Sequence, residues 1–462
     1  MPDIQIDMFE VQLGAALLLR MKDSTGRSVS VLADGGINAA SYNRDHVANK
    51  LTGILPLKEI DVVIGTHYDQ DHLAGLIDVA DMFKIGDAIL PPVRRPRYPK
   101  PGTPISAVME IEKPDDASDL PLLIDLNDRE FGEHISELES LEDQIGSHLG
   151  EGVPSSFSPP DFENESPGSQ EEFDSYYLTP PYTPEKVNFA LVQLMRIRKS
   201  AHKGAIVAKW LQRLVRKLQS KKVPIRAIDI AAGTPEYFAW DTLQLKFLTC
   251  NSPTYASSSE PKFTLLGPSR ALIARHAKRL PIGAYLATLG MIPLKPVTAS
   301  NQLSYVMLFE AAGQRILITG DAGCVDFWDK KARAYHPLLL AAIKDPHVVE
   351  VAHHAGNNYR FYDVLQKSGY ASGSSPHSFL LLSHADYDTH RPSLEFETFV
   401  KSLPFNSRTF ELLTTSQPDP ARIATFRSTY HPATHWPAAR VGDIRLSFNN
   451  GAWSVDQHLV QT

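Results

Sequence analysis

The segment VVIGTHYDQDHLAGL, residues 62–76, places two histidines and two aspartates within six positions. His67 and Asp69 are two positions apart, so on an extended loop both side chains can point toward one metal ion. Asp71 and His72 begin a run of helical spacing and can turn toward a second ion. Imidazole and carboxylate groups are common ligands of divalent cations. The spacing therefore predicts half of a two-metal site.

Three later segments place an acid or histidines after apolar runs. Asp321 follows RILITG and could bridge two cations through its two carboxylate oxygens. His353 and His354 follow HVVEVA. His384 directly follows SFLLLS, and His390 lies six positions further along the chain. The residues alone leave open which histidine of each pair binds metal. The other member is a candidate for supporting a ligand or contacting the substrate.

These side chains are expected at the ends of strands in an α/β protein. IDVVIGT has the composition of a buried strand, and HLAGLIDVADMF has helical spacing, so the first cluster lies at a strand-to-helix junction. Further strands are predicted at EVQLGAALLLRM, SVSVLADGG, IRAIDIA, LQLKFLTC, FTLLGP, SYVMLFEAA, RILITGDAG, HVVEVAHHAG and SFLLLSHADYD. Asp71 could alternatively serve only as a helix cap, and Asp321 only as a turn residue.

The composition changes sharply in the middle of the chain. Residues 115–174 are rich in acids, prolines and serines, which is typical of a flexible linker. Residues 186–222 contain no acid and carry apolar residues at the spacing of two amphipathic helices. The predicted organisation is therefore a core in two parts, residues 1–112 and 223–462, interrupted by an insertion at 113–222.

The acid-free helices are the candidate surface for an anionic partner. Their basic face predicts a contact with a nucleic-acid backbone, and the selected residues are Arg196, Arg198, Lys199, Lys209, Arg213, Arg216 and Lys217. Two alternatives stay open: a pair of helices packed on the core with a solvated basic face, or a basic face covered by the acidic linker or by another protein.

Whole-chain composition narrows the class of protein. The 462 residues carry a formal charge of -7, so attraction to a polyanion must be local. Two cysteines are too few for a disulfide framework or a cysteine-built zinc site. Acids precede the apolar run near the N-terminus, and no run approaches the length of a membrane span, so a cytoplasmic protein without a membrane partner is expected.

The motif HYDQDH and the ordered later pieces resemble the metallo-β-lactamase-fold hydrolases, whose signature is H-x-H-x-D-H. Within that family the sequence is more similar to the hydrolase domain of the DNA-uptake competence channel protein and to phosphorylcholine esterase. The segments that carry this similarity are FEVQLGAALL, LADGG, NQLSYVMLF, LITGDAG, VAHHAGN and HADYDTHRP. Asp69 stands where that family usually has histidine, HHAG replaces HHGS, and HRP replaces HP.

The resemblance implies an αββα sandwich that binds two divalent metal ions. His67, Asp69, Asp71, His72, Asp321, His354 and His390 would be the ligands. Zinc is the first expectation, and manganese or iron becomes a rival because Asp69 adds a hard, charged donor. Asp71 would orient the attacking water or accept its proton, and His353 or His384 would donate a proton to the leaving group.

The expected activity is hydrolysis of a phosphodiester, with nucleic acid as the first substrate class. Similarity to relatives that act on phosphodiesters and the basic stretch both favour this activity. One alternative is hydrolysis of a small ester, lactone or phosphodiester metabolite, because one fold hosts many chemistries. Another is a non-catalytic binding or regulatory module with a degraded metal site, which only the aspartate at position 69 favours.

Overall fold

The computed structural model describes most of the two predicted core segments and the end of the insertion. The described residues are 2–12, 14–36, 46–91, 210–211, 213–250, 259–277, 299–370, 377–385, 388, 391–403, 409–416 and 442–457. They form two large mixed β-sheets together with several helices. The predicted α/β class is confirmed.

The strands are numbered in chain order: β1 Ile4–Met8, β2 Leu17–Lys22, β3 Ser28–Ala33, β4 Glu59–Ile64, β5 Lys84–Ile89, β6 Ile225–Arg226, β7 Glu236–Asp241, β8 Lys246–Cys250, β9 Lys262–Gly267, β10 Val306–Ala311, β11 Gln314–Ile318, β12 Trp328–Asp329, β13 Ala334–Tyr335, β14 Val348–Glu350, β15 His377–Leu382, β16 Thr409–Thr414, β17 Ile444–Asn449 and β18 Ala452–Gln457. The helices are α1 His46–Ile54, α2 Gln70–Met82, α3 at residues 210–211 and 213–220, α4 Arg270–Ala277, α5 Ala299–Gln302, α6 Pro337–Ala342, α7 Tyr359–Lys367 and α8 Leu394–Lys401.

Each large sheet contains a run of parallel strands. The first sheet has the order β18-β17-β1-β2-β3-β4-β5-β6, and strands β3 to β6 are parallel. The second has the order β16-β15-β14-β11-β10-β9-β7-β8, and β11, β14, β15 and β16 are parallel. Parallel strands end at the same edge of a sheet, so residues that follow β3, β4, β11, β14 and β15 can meet there.

The two faces of the first sheet are buried against different partners. In β4, Val62 and Ile64 belong to a core that also includes Phe263 and Leu317 of the second sheet. Val63, which points the other way, belongs to a second core with apolar residues of α1, α2 and α3. The alternation follows from the two-residue period of a strand. Both faces of this sheet are therefore covered.

The described part of the insertion packs on the protein core. Leu211, Leu214 and Leu218 are buried among residues of the first sheet and α2, as the predicted apolar spacing requires. Helix α3 lies at the end of the segment assigned to the insertion, and its apolar face is part of the core. The first predicted amphipathic helix and the acidic linker lie outside the described residues, and the boundaries at 112 and 222 stay predictions.

Most predicted strands within the described residues are confirmed. The segment EVQLGAALLLRM is a strand only over Leu17–Lys22, and IRAIDIA contributes only Ile225–Arg226. The prediction omits β1, β5, β7, β12, β13, β16, β17 and β18, whose short or mixed sequences lack a long continuous apolar run. Among the described residues, none of the helices has the length and apolar character that crossing a membrane requires.

A close backbone contact fixes the start of α2 against the end of β3. The amide nitrogen of Gly35 donates to the carbonyl of His72 at 2.8 Å, and that of Gly75 donates to the carbonyl of Gly36 at 3.1 Å. A Cβ atom added to Gly75 would lie 1.9 Å from the carbonyl oxygen of Gly35. Only glycine permits this approach, which brings the His72 segment to the strand end.

We expect Gly75→Ala to destabilise the protein by about 1–3 kcal/mol, because α2 would have to move away from β3. Gly53→Ala is the matched control, since a Cβ at this helical position meets nothing within 4 Å. It should be neutral or stabilising by up to about 1 kcal/mol. Urea unfolding of both variants measures the difference. Equal stability of Gly75→Ala and the wild type would contradict the close contact.

Candidate metal centre

The predicted ligands follow parallel strands of both sheets. His67 lies three residues after β4, and Asp69 occupies the N-cap position of α2. The Asp69 side chain makes no capping hydrogen bond, and Asp71 lies in the first turn of the helix. A capping role alone therefore does not account for these two carboxylates. They lie where the first sheet meets the ligand-bearing segments of the second.

One group of side chains consists of His67, Asp69 and Asp321. Their donor atoms all lie within 4.8 Å of one another. Nε2 of His67 is 3.8 Å from Oδ2 of Asp69 and 3.8 Å from Oδ2 of Asp321. This group provides one imidazole and two carboxylates.

A second group consists of Asp71, His72 and His354, whose donor atoms also lie within 4.8 Å of one another. Oδ2 of Asp71 is 4.0 Å from Nε2 of His72 and 3.9 Å from Nε2 of His354. The other oxygen of Asp321, Oδ1, is 3.5 Å from Nε2 of His72 and 3.4 Å from Nε2 of His354. The carboxylate of Asp321 thus directs one oxygen to each group.

Several donor atoms of these groups are buried and have no hydrogen-bond partner among the described residues. They are Nε2 of His67, His72 and His354, and Oδ1 of Asp321. Leaving buried polar atoms unpaired costs free energy, and a bound cation removes that cost. Ligands at about 2.1 Å from a tetrahedral ion lie about 3.4 Å apart. The spacing of the donor atoms and their chemistry therefore fit divalent metal ions.

Asp34, at the end of β3, fixes the tautomers of two histidines. Oδ2 of Asp34 accepts from the hydroxyl of Thr66 at 2.6 Å and lies 2.7 Å from Nδ1 of His72. The Thr66 hydroxyl has given its hydrogen to Asp34, so it accepts from Nδ1 of His67 at 3.0 Å. Both imidazoles therefore carry a hydrogen on Nδ1 and direct Nε2 toward the two groups.

Burial controls the charge of the donor atoms. It raises the pKa of Asp321 to about 8, with Asp71 and Asp69 adding to the rise and His72 opposing it. Burial and the neighbouring imidazoles lower the pKa of His67 and His354 well below the usual value, which keeps both neutral. The pKa of His72 is raised, because nearby carboxylates, Asp34 first among them, outweigh burial.

The structure separates the roles of the adjacent histidines 353 and 354. Both have positive φ angles, 55° and 51°, so the turn sends their side chains in different directions. His354 joins the second group. His353 belongs to neither group, although its Nε2 lies 3.9 Å from Oδ2 of Asp321. Burial, followed by the charge of Arg391, lowers the pKa of His353 to about 4, so it is a neutral group beside the centre.

His384 lies near this region without joining either group. It follows β15 and is buried, its Nε2 lies 3.1 Å from the carbonyl oxygen of Arg391, and its Nδ1 has no hydrogen-bond partner among the described residues. Burial lowers its pKa. His390, the ligand that the resemblance implies, lies outside the described residues. The assignment of His390 as a ligand and of His384 as a possible proton donor therefore stays a prediction.

Only three of the seven basic residues selected for nucleic-acid binding fall within the described residues. Arg196, Arg198, Lys199 and Lys209 lie outside them. Arg213 is exposed, with its guanidinium carbon 5.2 Å from the ring centroid of Trp210, and Arg216 is half-buried. Lys217 pairs with Asp81 of α2 at 2.6 Å. This end of the basic stretch is therefore a helix packed on the core, with one of its cations already paired to an acid.

Sequence reasoning missed the residues that hold the ligands in place. Asp34 lies in LADGG, one of the segments that resemble the family. Its position directly after a strand is the one feature of the sequence that could have indicated a role at the site. Glu350 lies inside β14, and its carboxylate accepts from the amides of Thr319 and Gly320 at 2.8 and 3.0 Å. Asn301 donates to Oδ2 of Asp321 at 3.3 Å. No pattern in the sequence distinguishes these polar residues from ordinary buried ones.

Comparison with known proteins adds no family assignment. No family model matches this sequence, and no curated protein matches it either.

We expect Asp34→Asn to weaken divalent-metal binding by about 10- to 100-fold, because the amide would reverse the hydrogen bond to Nδ1 of His72 and place a hydrogen on Nε2. The control is Asp23→Asn, which alters a buried carboxylate that accepts from Thr25 and Arg27 in the β2–β3 turn. Competition with a chromophoric chelator measures both affinities. An unchanged affinity in Asp34→Asn would exclude the proposed tautomer control.

The two adjacent histidines should differ in metal stoichiometry. His354→Ala is expected to lose one of two bound ions, because Nε2 of His354 faces both Asp71 and Asp321. His353→Ala should retain both, because His353 belongs to neither group. Elemental analysis of the two purified variants makes the comparison. Loss of metal from His353→Ala alone would reverse the assignment.

Proposed function

We propose that this protein is a metal-dependent hydrolase of the metallo-β-lactamase fold that binds two divalent cations. The packing supports this proposal. The first sheet has α1, α2 and α3 on one face and the second sheet on the other, and residues of α6, α7 and α8 join the core of the second sheet. Helices on one face of the first sheet, and helices packed with the second sheet, support an αββα sandwich.

The observation that carries the proposal is the position of Asp321. Its two carboxylate oxygens face two separate groups of histidine and aspartate side chains, each with unpaired buried donor atoms. A carboxylate shared in this way is suited to hold two cations close together. A purely structural buried aspartate would instead accept hydrogen bonds with both oxygens.

Divalent cations held by these two groups would supply Lewis acidity and would lower the pKa of a nearby water molecule. Asp71 then orients that water or accepts its proton through Oδ2, the atom that faces His72 and His354. His353 is neutral and lies at the edge of the centre, so its imidazole N–H donates to a developing negative charge on the substrate. Asp34 and Thr66 hold His72 and His67 in the tautomers that the site requires.

The first substrate class that we propose is a phosphodiester of nucleic acid. The acid-free stretch of residues 186–222 supports a polyanionic partner. A small ester or phosphodiester metabolite is the second candidate. The packing of α3 favours it, because Leu214 is buried and Lys217 is paired with Asp81, so part of the basic stretch has a structural role.

The test is cleavage of single- and double-stranded DNA and RNA by the metal-loaded protein, with and without chelator. We expect cleavage that chelator removes and that Asp321→Asn lowers by about 10²- to 10³-fold, because one oxygen facing a cation is lost. Asp326→Asn is the control from the same loop, since Asp326 accepts from Ser269 instead. Metal binding with hydrolysis only of small esters would favour the second candidate, and absence of metal after reconstitution would exclude both.

A further inference from the structure

Arg391, the residue inserted by HRP, lies in a loop that is fastened to the metal centre. Its backbone nitrogen donates to Oδ1 of Asp388 at 3.2 Å, and its carbonyl oxygen lies 3.1 Å from Nε2 of His384. Two residues further on, the amide of Ser393 donates to the carbonyl of Ala355 at 2.8 Å. The loop is therefore bonded to the turn that carries the two adjacent histidines.

The guanidinium of Arg391 is only partly paired. Nη1 donates to Oδ2 of Asp388 at 3.0 Å, while Nε is buried and has no hydrogen-bond partner among the described residues. A Cβ atom built on Gly356 would lie 3.4 Å from Nε of Arg391 and 3.3 Å from Nδ1 of His353. The cation and the neutral imidazole thus flank the same point of the turn.

The charge of Arg391 reaches the centre. It opposes the rise in the pKa of Asp321, and after burial it is among the causes that lower the pKa of His353 and His354. Its side chain is 24% exposed, so part of the guanidinium is accessible from solvent. The Arg391 cation therefore lies within electrostatic reach of the centre, where it can attract an anionic substrate.

We propose that Arg391 is a specificity-determining residue that binds an anionic oxygen of a phosphodiester at the metal centre. This inference rests on the proposed function and names the substrate chemistry of the same site. A guanidinium presents several N–H groups in a fixed plane, which suits the oxygens of a phosphate. Neutral esters and lactones lack the charge that this contact selects.

A structural explanation also exists, in which Arg391 only fastens its loop through Asp388. An ion pair three residues apart in sequence and partly exposed contributes little to stability. Such a pair requires one positive group, which lysine also provides, and it gives no role to the buried Nε. Lysine at this position therefore distinguishes loop fastening from recognition by the guanidinium plane.

The experiment compares the metal-loaded wild type with Arg391→Gln and Arg391→Lys. The substrates are bis(p-nitrophenyl) phosphate, which is anionic, and p-nitrophenyl acetate, which is neutral. We expect Arg391→Gln to lower kcat/KM for the diester by about 10- to 100-fold, to lower acetate hydrolysis much less, and to leave the metal content unchanged. Arg391→Lys should recover only part of the loss. Arg270→Gln, which removes a cation paired with Asp229, is the matched control.

Binding of inorganic phosphate to the same proteins, measured by calorimetry, provides a readout that does not need turnover. Weaker phosphate binding by Arg391→Gln supports the proposal even if neither substrate is cleaved, in which case only the hydrolase proposal fails. Equal phosphate affinity in the wild type and Arg391→Gln overturns it, as does an equal fall in hydrolysis of both substrates. If the wild type hydrolyses only the neutral ester, the proposal for Arg391 is also overturned, but the proposal of a metal-dependent hydrolase stands.

Discussion

The structure depends on one constraint: several buried nitrogen and oxygen atoms at one edge of the two sheets have no hydrogen-bond partner among the described residues. Each costs about 1–3 kcal/mol when it lacks a partner, and His67, His72, His354 and Asp321 each contribute one. The cost is tolerated because apolar residues on both faces of the first sheet hold the strand ends in place. If a cation binds there as proposed, it would remove this cost, and metal binding would then be coupled to the stability of the fold.

The ligands are held by backbone and by buried carboxylates more than by one another. Asp34 bonds to both Thr66 and His72, while Glu350 accepts two amides at the turn that leads to Asp321. In the turn after β14, His353 and His354 adopt left-handed backbone angles. Such strained angles persist only where surrounding contacts determine them, and they often occur at functional sites.

The sequence predicted the strands that deliver ligands, because buried parallel strands such as β4 and β15 have continuous apolar runs. It also predicted that residues after those strands meet, and Asp321 lies with His67 and His72 as expected. The residues alone could not assign the metal ligand to His353 or to His354, because consecutive left-handed residues in a turn leave no periodic pattern in the sequence. Asp34 was missed for a related reason: its role depends on a hydrogen bond to His72, thirty-eight positions away.

The aspartate at position 69 makes the two halves of the centre chemically different. The first group has one imidazole, from His67, and the carboxylates of Asp69 and Asp321, whereas the second has two imidazoles and the carboxylate of Asp71 beside Asp321. Oxygen-rich sites favour hard cations such as manganese, and nitrogen-rich sites suit zinc. If the proposed cations bind, Asp69 would shift the metal preference of the first group toward harder ions. Oδ2 of Asp69 lies 3.8 Å from Nε2 of His67, so the aspartate keeps a potential donor atom at this position, which argues against a degraded site.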